Sequence, residues 1–131
     1  MPPPSWHSWQ VDHQLPITQE VLGLYDQIIA SQPDVQRKGA AMPYTSLNGH
    51  MFSFLTPEGH LALRLPSPER QAFLASYHTR LCEQHGKVLE EYVEVPDRLL
   101  RNLDELEQHF RTSYAYVSSL KPKPTTRPTK T

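Results

Sequence analysis

The chain has 131 residues, a length that suits one ordinary domain, and its net charge of -1 gives no overall field to draw it toward nucleic acid or an acidic membrane surface. Its hydrophobic share of 37% and mean hydropathy of -0.58 are low, but six of the 13 prolines are crowded into 2–4 and 122–128, so the deficit belongs to the ends. A single cysteine, Cys82, excludes an internal disulfide and suits a reducing compartment, while no apolar run approaches the ~18 residues of a spanning helix and "MPPPSWHSWQ" lacks the regions of a signal peptide. A cytoplasmic protein is expected.

Residues 1–16 read as a proline- and tryptophan-rich arm. Its "WHSW" places Trp6 and Trp9 where two indoles would otherwise meet water, which points to packing on the domain or on a partner. Thr18 can cap a helix over 18–31, whose Val21, Leu22, Tyr25, Ile28 and Ile29 form one apolar stripe. Next, Asn48-Gly49 supplies the two positive-φ residues of a type I′ hairpin turn and predicts strands at about 41–47 and 50–55. Pro43 lacks an N–H for a ladder bond and assigns the first of these to a sheet border, where Pro43 and Tyr44 become candidate interaction residues. Thr56-Pro57-Glu58-Gly59 is a type I turn, after which 60–65 alternates again, with Leu61, Leu63 and Leu65 on one face.

Ser67-Pro68 opens a second helix that presents Phe73, Leu74, Tyr77 and Leu81 before Gly86 ends it. "KVLEEYVEV" at 87–95 is a fourth strand with Leu89, Val93 and Val95 on one face, stopped by Pro96. Asn102 with Glu105 resembles a capping box, and Leu103, Leu106, Phe110, Tyr114 and Val117 carry a helical stripe to about Leu120. The predicted order is α-β-β-β-α-β-α, a two-layer α+β domain over 17–120 with a mostly antiparallel sheet. The remainder, 121–131, bears Lys121, Lys123, Arg127 and Lys130 without an acid and reads as an extended basic tail capable of weak, salt-sensitive contact with phosphates.

The passages "NGHMFSFLTPEGHLALRLPSPERQAFL" and "EEYVEVPDRLLRNLDELEQHF" resemble the N-terminal domain of the TfoX/Sxy family of bacterial competence regulators. The shared features are a glycine turn before Met51-Phe52, an acidic-glycine turn before Leu61-Ala62-Leu63, a helix with Arg70 and Phe73, and a tyrosine-bearing strand ending Val95-Pro96. The resemblance spans about residues 37–119. Where members of that family usually show Met-Phe-Gly-Gly, this chain has Met42-Pro43-Tyr44-Thr45, and the full-length regulators carry a further C-terminal helical domain. What the resemblance implies is an α+β fold and a regulatory setting rather than a reaction.

Candidate chemistry is sparse. On a helix continuing to Gly86, His78, Cys82 and His85 would share one face at i, i+4 and i+7 and could offer three zinc ligands, although paired ligand spacings of the CxxC kind are missing. His50 and His60 follow turn glycines and read as exposed strand-end residues. Glu90 and Glu94 alternate with Glu91 along a strand and read as a solvated face rather than a carboxylate pair. Nucleophile-elbow, phosphate-loop, dinucleotide and HExxH patterns do not occur, nor does a basic recognition helix. The sequence therefore predicts a non-enzymatic interaction or regulatory module with a protein partner or self-association, no membrane contact and no cofactor. A zinc protein or small enzyme built on His78, Cys82 and His85 is the alternative.

Overall fold

A computed structural model describes residues 17–39 and 42–122. The elements are α1 (Gln19–Ile29), β1 (Tyr44–Leu47), β2 (His50–Leu55), β3 (Leu61–Arg64), α2 (Ser67–Tyr77), β4 (Leu81–Gln84), β5 (Lys87–Val95), α3 (Asp97–Leu100) and α4 (Leu103–Ser118). The five strands lie in the order β1-β2-β3-β5-β4, with every neighbouring pair antiparallel, so the fold is α+β as the patterning predicts. No helix among the described residues is long and apolar enough to cross a membrane.

Local chemistry sets most element ends. Thr18 Oγ1 accepts from the Val21 N–H at 3.1 Å and starts α1. Asn48 and Gly49 both have positive φ, 54° and 84°, as a type I′ turn requires, and Gly59 closes its turn on the Thr56 carbonyl at 2.9 Å. Asn102 caps α4 by accepting from the Glu105 N–H, and its amide reaches the Glu105 carboxylate at 3.1 Å. At α2 the cap is Pro66, one residue earlier than the Ser67 reading, and no side chain bonds there.

The helices cover one face of the sheet. Tyr25, Ile28 and Ile29 of α1, Phe73 of α2, Leu99 and Leu100 of α3, and Leu106, Phe110 and Val117 of α4 meet Phe52, Leu55, Leu61, Leu63, Leu65, Val93 and Val95 in one core. Full burial of each such side chain contributes about 1.5–3 kcal/mol. Phe52 lies 5.4 Å from the Phe110 ring and 5.9 Å from that of Tyr114. Hydroxyls are satisfied within this core, since Ser53 Oγ lies 2.7 Å from Tyr25 Oη and 2.6 Å from Thr45 Oγ1. Burial raises the Tyr25 phenol pKa far above its ordinary value, so that hydroxyl remains protonated.

A bulge brings Phe52 and Ser53 to the same side. The β1–β2 register passes from Thr45 opposite Ser53 to Ser46 opposite Met51, so Phe52 is an extra residue in β2. Its carbonyl receives the Ser113 hydroxyl of α4 at 3.3 Å.

Two expectations require correction. Helix α2 ends at Tyr77 rather than near Gly86, because His78 takes a left-handed conformation at φ 52° and its N–H returns to the Leu74 carbonyl. The segment after it is strand β4, and His85-Gly86, with φ of 56° and 73°, is a hairpin turn into β5 rather than a helix stop. Pairing is already set at Thr79, whose hydroxyl donates to the Glu94 carbonyl at 2.7 Å, and at Arg80, whose carbonyl receives the Glu94 N–H. The second correction is Leu89: a register irregularity between β4 and β5 turns it away from Val93 and Val95, onto the opposite face with Tyr92.

Candidate functional site

The end of α2 and the start of α4 bring together a hydrogen-bonded group of ionisable side chains. Phe73 and Tyr77 stand four residues apart on α2, Glu105 and His109 four apart on α4, and the two pairs face each other. Tyr77 Oη donates to Glu105 Oε2 and lies 2.8 Å from His109 Nε2. Because the phenol proton is directed to the carboxylate, the phenol oxygen accepts from Nε2–H, which leaves His109 Nδ1 as the acceptor. His109 is also set edge-on to Phe73, with ring centroids 5.0 Å apart at 88°.

These environments shift the proton affinities of Tyr77 and His109. Burial, then the hydrogen bond and charge of Glu105, push the Tyr77 phenol up to about 12, so it neither ionises nor acts as a base near neutral pH. Burial holds His109 below its ordinary value against the opposing charge of Glu105, which favours the neutral ring. Arg98 places its guanidinium 5.8 Å from the Tyr77 ring centroid and donates weakly to the Tyr77 carbonyl at 3.4 Å.

Tyr77 forms the wall between two open depressions. One, of about 260 Å³, is lined by Glu69, Phe73, Ser76, Gln108 and His109 among others; the second, of about 340 Å³, lies against Arg98, Asn102 and Glu105. The result is a groove with an aromatic floor and polar rims. The groove thus presents a phenol held protonated, an imidazole favoured neutral and a carboxylate bonded to both Tyr77 and Asn102.

The predicted zinc ligands are not assembled. His78 and His85 are exposed turn residues, whereas Cys82 is 1% exposed in β4, on a strand rather than on their supposed helical face. Burial and the nearby Glu94 raise the Cys82 pKa, opposite to what a reactive or ligating thiolate needs. Among the described residues, no three His, Cys, Asp or Glu side chains gather into a set that could hold a metal.

Other singled-out residues are dispersed. Pro43 is buried and gives its carbonyl to the Leu55 N–H, Tyr44 packs on the helix-free sheet face, and Trp6 and Trp9 lie outside the described residues. His60 is exposed, but His50 is half-buried with Nε2 2.7 Å from the Lys121 carbonyl. The glutamates also separate. Glu94 pairs with Arg80 at 3.4 Å, while Glu91 meets Arg64 at 2.6 Å and receives the Tyr116 hydroxyl at 3.0 Å. Partial burial is the largest single influence on Glu91 and opposes its ionisation, yet the hydrogen bonds from Arg64 and Tyr116 with the charges of Arg64 and Arg70 bring its carboxyl below the usual value.

Sequence reasoning missed Tyr77, Glu105 and His109 as a group. The available signal was two i,i+4 pairs, Phe73/Tyr77 and Glu105/His109, but their meeting depends on how α2 and α4 pack. Compared with protein families, curated proteins and solved structures, the chain matched none of them.

Proposed function

We propose that this chain is a non-enzymatic interaction or regulatory module that receives a segment of a protein partner in the groove between α2 and α4. The carrying observation is Tyr77, hydrogen-bonded to both Glu105 and His109 and forming the wall shared by two adjoining open depressions. The groove offers shape, an aromatic surface and an imidazole acceptor to a visitor. The resemblance to TfoX/Sxy N-terminal domains supports a regulatory setting for such a surface.

Site-specific photocrosslinking in the native host tests this reading. A photoreactive residue replacing Gln108, on the groove rim, should capture a discrete protein adduct that is lost in His109→Phe and not formed from Glu90, which is exposed on β5. Native mass spectrometry of the untagged chain should show no retained metal or small molecule. A co-purified metal or ligand mass, or equal adducts from both positions, would overturn it.

A further inference from the structure

The depressions on either side of Tyr77 continue into a third. Gln108 and Thr112 line both the hollow of about 260 Å³ beside Phe73 and a more open one, about 600 Å³, that follows α4 past Asp104, Glu107 and Arg111. Along the three, four carboxylates (Glu69, Asp104, Glu105 and Glu107) stand against two guanidiniums, Arg98 and Arg111. Most of these charges are engaged internally. Glu105 receives Tyr77 and Asn102, Arg111 lies 3.5 Å from Glu107, and Arg98 turns to the Tyr77 carbonyl and ring. Exposed Glu69 and Asp104 have no ion-pair partner among the described residues, so the groove keeps an uncompensated negative charge at its first and third hollows. The first hollow is also rich in acceptors. The Tyr77 hydroxyl proton is directed at Glu105 and the Thr112 hydroxyl proton at the Gln108 carbonyl, 3.1 Å away. What faces a visitor is then the Glu69 carboxylate, His109 Nδ1 and the Thr112 oxygen, with Ser76 and Gln108 able to donate or accept.

We propose that the partner segment received by this groove is basic and sets an arginine side chain into the hollow bounded by Glu69, Tyr77 and His109. The inference rests on the groove being the binding surface and names the chemistry of its occupant. Three features select that chemistry. The unpaired carboxylates attract a cation, and complementary charge of this kind steers encounter and rejects acidic competitors. The acceptors belong to two helices, Glu69 to α2 and His109 and Thr112 to α4, so a planar group with five N–H donors can serve more than one of them where a single donor cannot. The ring of Tyr77 suits a guanidinium, as Arg98 shows from the neighbouring hollow at 5.8 Å from the centroid. The alternatives fit worse. An acidic visitor would meet Glu69 with no uncommitted cation beside it, and an apolar one would strip water from Glu69 and His109 Nδ1 without replacing the hydrogen bonds.

Three capped alanine pentapeptides, with arginine, its neutral isostere citrulline or leucine at the centre, provide the test. Each is titrated into the isotope-labelled full chain at neutral pH while the backbone amide signals of Phe73, Tyr77, Gln108 and His109 are followed. The arginine peptide should move those signals saturably and bind about fivefold more tightly than the citrulline peptide, the gain expected when a hydrogen bond becomes charge-assisted. Glu69→Gln, an exposed change, should bring that ratio toward one and leave the citrulline affinity as it was. Arginine no better than citrulline, including no response to either, would overturn the proposal, as would leucine binding most tightly or a ratio unmoved in Glu69→Gln. Photocrosslinking from Gln108 keeps this separate from the groove reading itself. A discrete adduct there, with no advantage for arginine, sinks the basic visitor alone; the absence of any adduct sinks the groove.

Discussion

The two faces of the sheet reach similar dryness by different means. On the helix side, side chains from four helices interlock with five strands, and the few polar groups present, Tyr25, Thr45, Ser53 and Ser113, bond within the layer. On the other side Phe54, Ala62 and Cys82 are buried, and Tyr92 bridges strands to the Met51 carbonyl. The first core is secured by volume, the second by coverage. A substitution that empties space should therefore damage the first whatever else happens, whereas damage to the second depends on what lies above it.

Matched truncations expose that difference most strongly. Phe110→Ala should destabilise the chain by about 3–5 kcal/mol in denaturant unfolding. Phe54→Ala should approach the low end of that range if its face is sealed as its 1% exposure indicates; a cost near 1 kcal/mol would show that the face is effectively open. Ala62→Leu tests the opposite error. Extra volume beneath the Tyr92 bridge should cost about 1–3 kcal/mol and weaken the bond to the Met51 carbonyl, whereas an open face would accept leucine without loss.

Smaller effects belong to the helical groove. Tyr77→Phe removes the hydroxyl shared by Glu105 and His109 and should cost about 1 kcal/mol in thermal or denaturant unfolding. The pH dependence has a defined sign. Because burial lowers the folded-state pKa of His109 below 6.5, the unfolded chain takes up its proton first, so the contribution is complete above 6.5 and declines as pH falls toward the folded value. His109→Gln should flatten the loss of stability across that window. Steepening instead would show that the imidazole is bound as the cation.

The smallest prediction has the most informative sign. His78→Gly should stabilise by up to about 1 kcal/mol, because a left-handed position is strained for histidine and easy for glycine. Inside a continuing helix the same change would cost a few tenths of a kcal/mol. The measurement thus decides where the chain leaves the helical layer, and with it whether Cys82 belongs to the helix-free face.

Much of the fold was legible because local chemistry and hydrophobic period agreed. Thr18, Asn48-Gly49, Gly59 and Asn102 each occupy the turn or cap that their residue types predict, and the stripes of α1 and α4 are the observed core faces. The failure lies at 78–86. A helix that ends on a non-glycine residue gives no ordinary stop signal, and Leu81, Cys82 and Gln84 fit helical spacing as well as strand alternation over so short a run. Gly86 was then available for the wrong role. His85-Gly86 has the same two positive-φ residues as Asn48-Gly49, but histidine marks a type I′ turn far less clearly than asparagine. The groove was illegible for another reason, since Tyr77 and His109 are 32 residues apart and meet only through packing.

The extra residue in β2 also places a reading-frame constraint on the sheet. Met51 and Phe54 serve the helix-free face while Phe52 and Ser53 serve the helices, so the strand changes phase midway and contributes to both cores. Removing Phe52 would restore simple alternation and leave Met51 and Phe54 on one face and Ser53 and Leu55 on the other, at the loss of one core ring. A single-codon loss elsewhere in β2 that kept the bulge would instead shift the phase of the residues beyond it and misaddress several correct side chains at once.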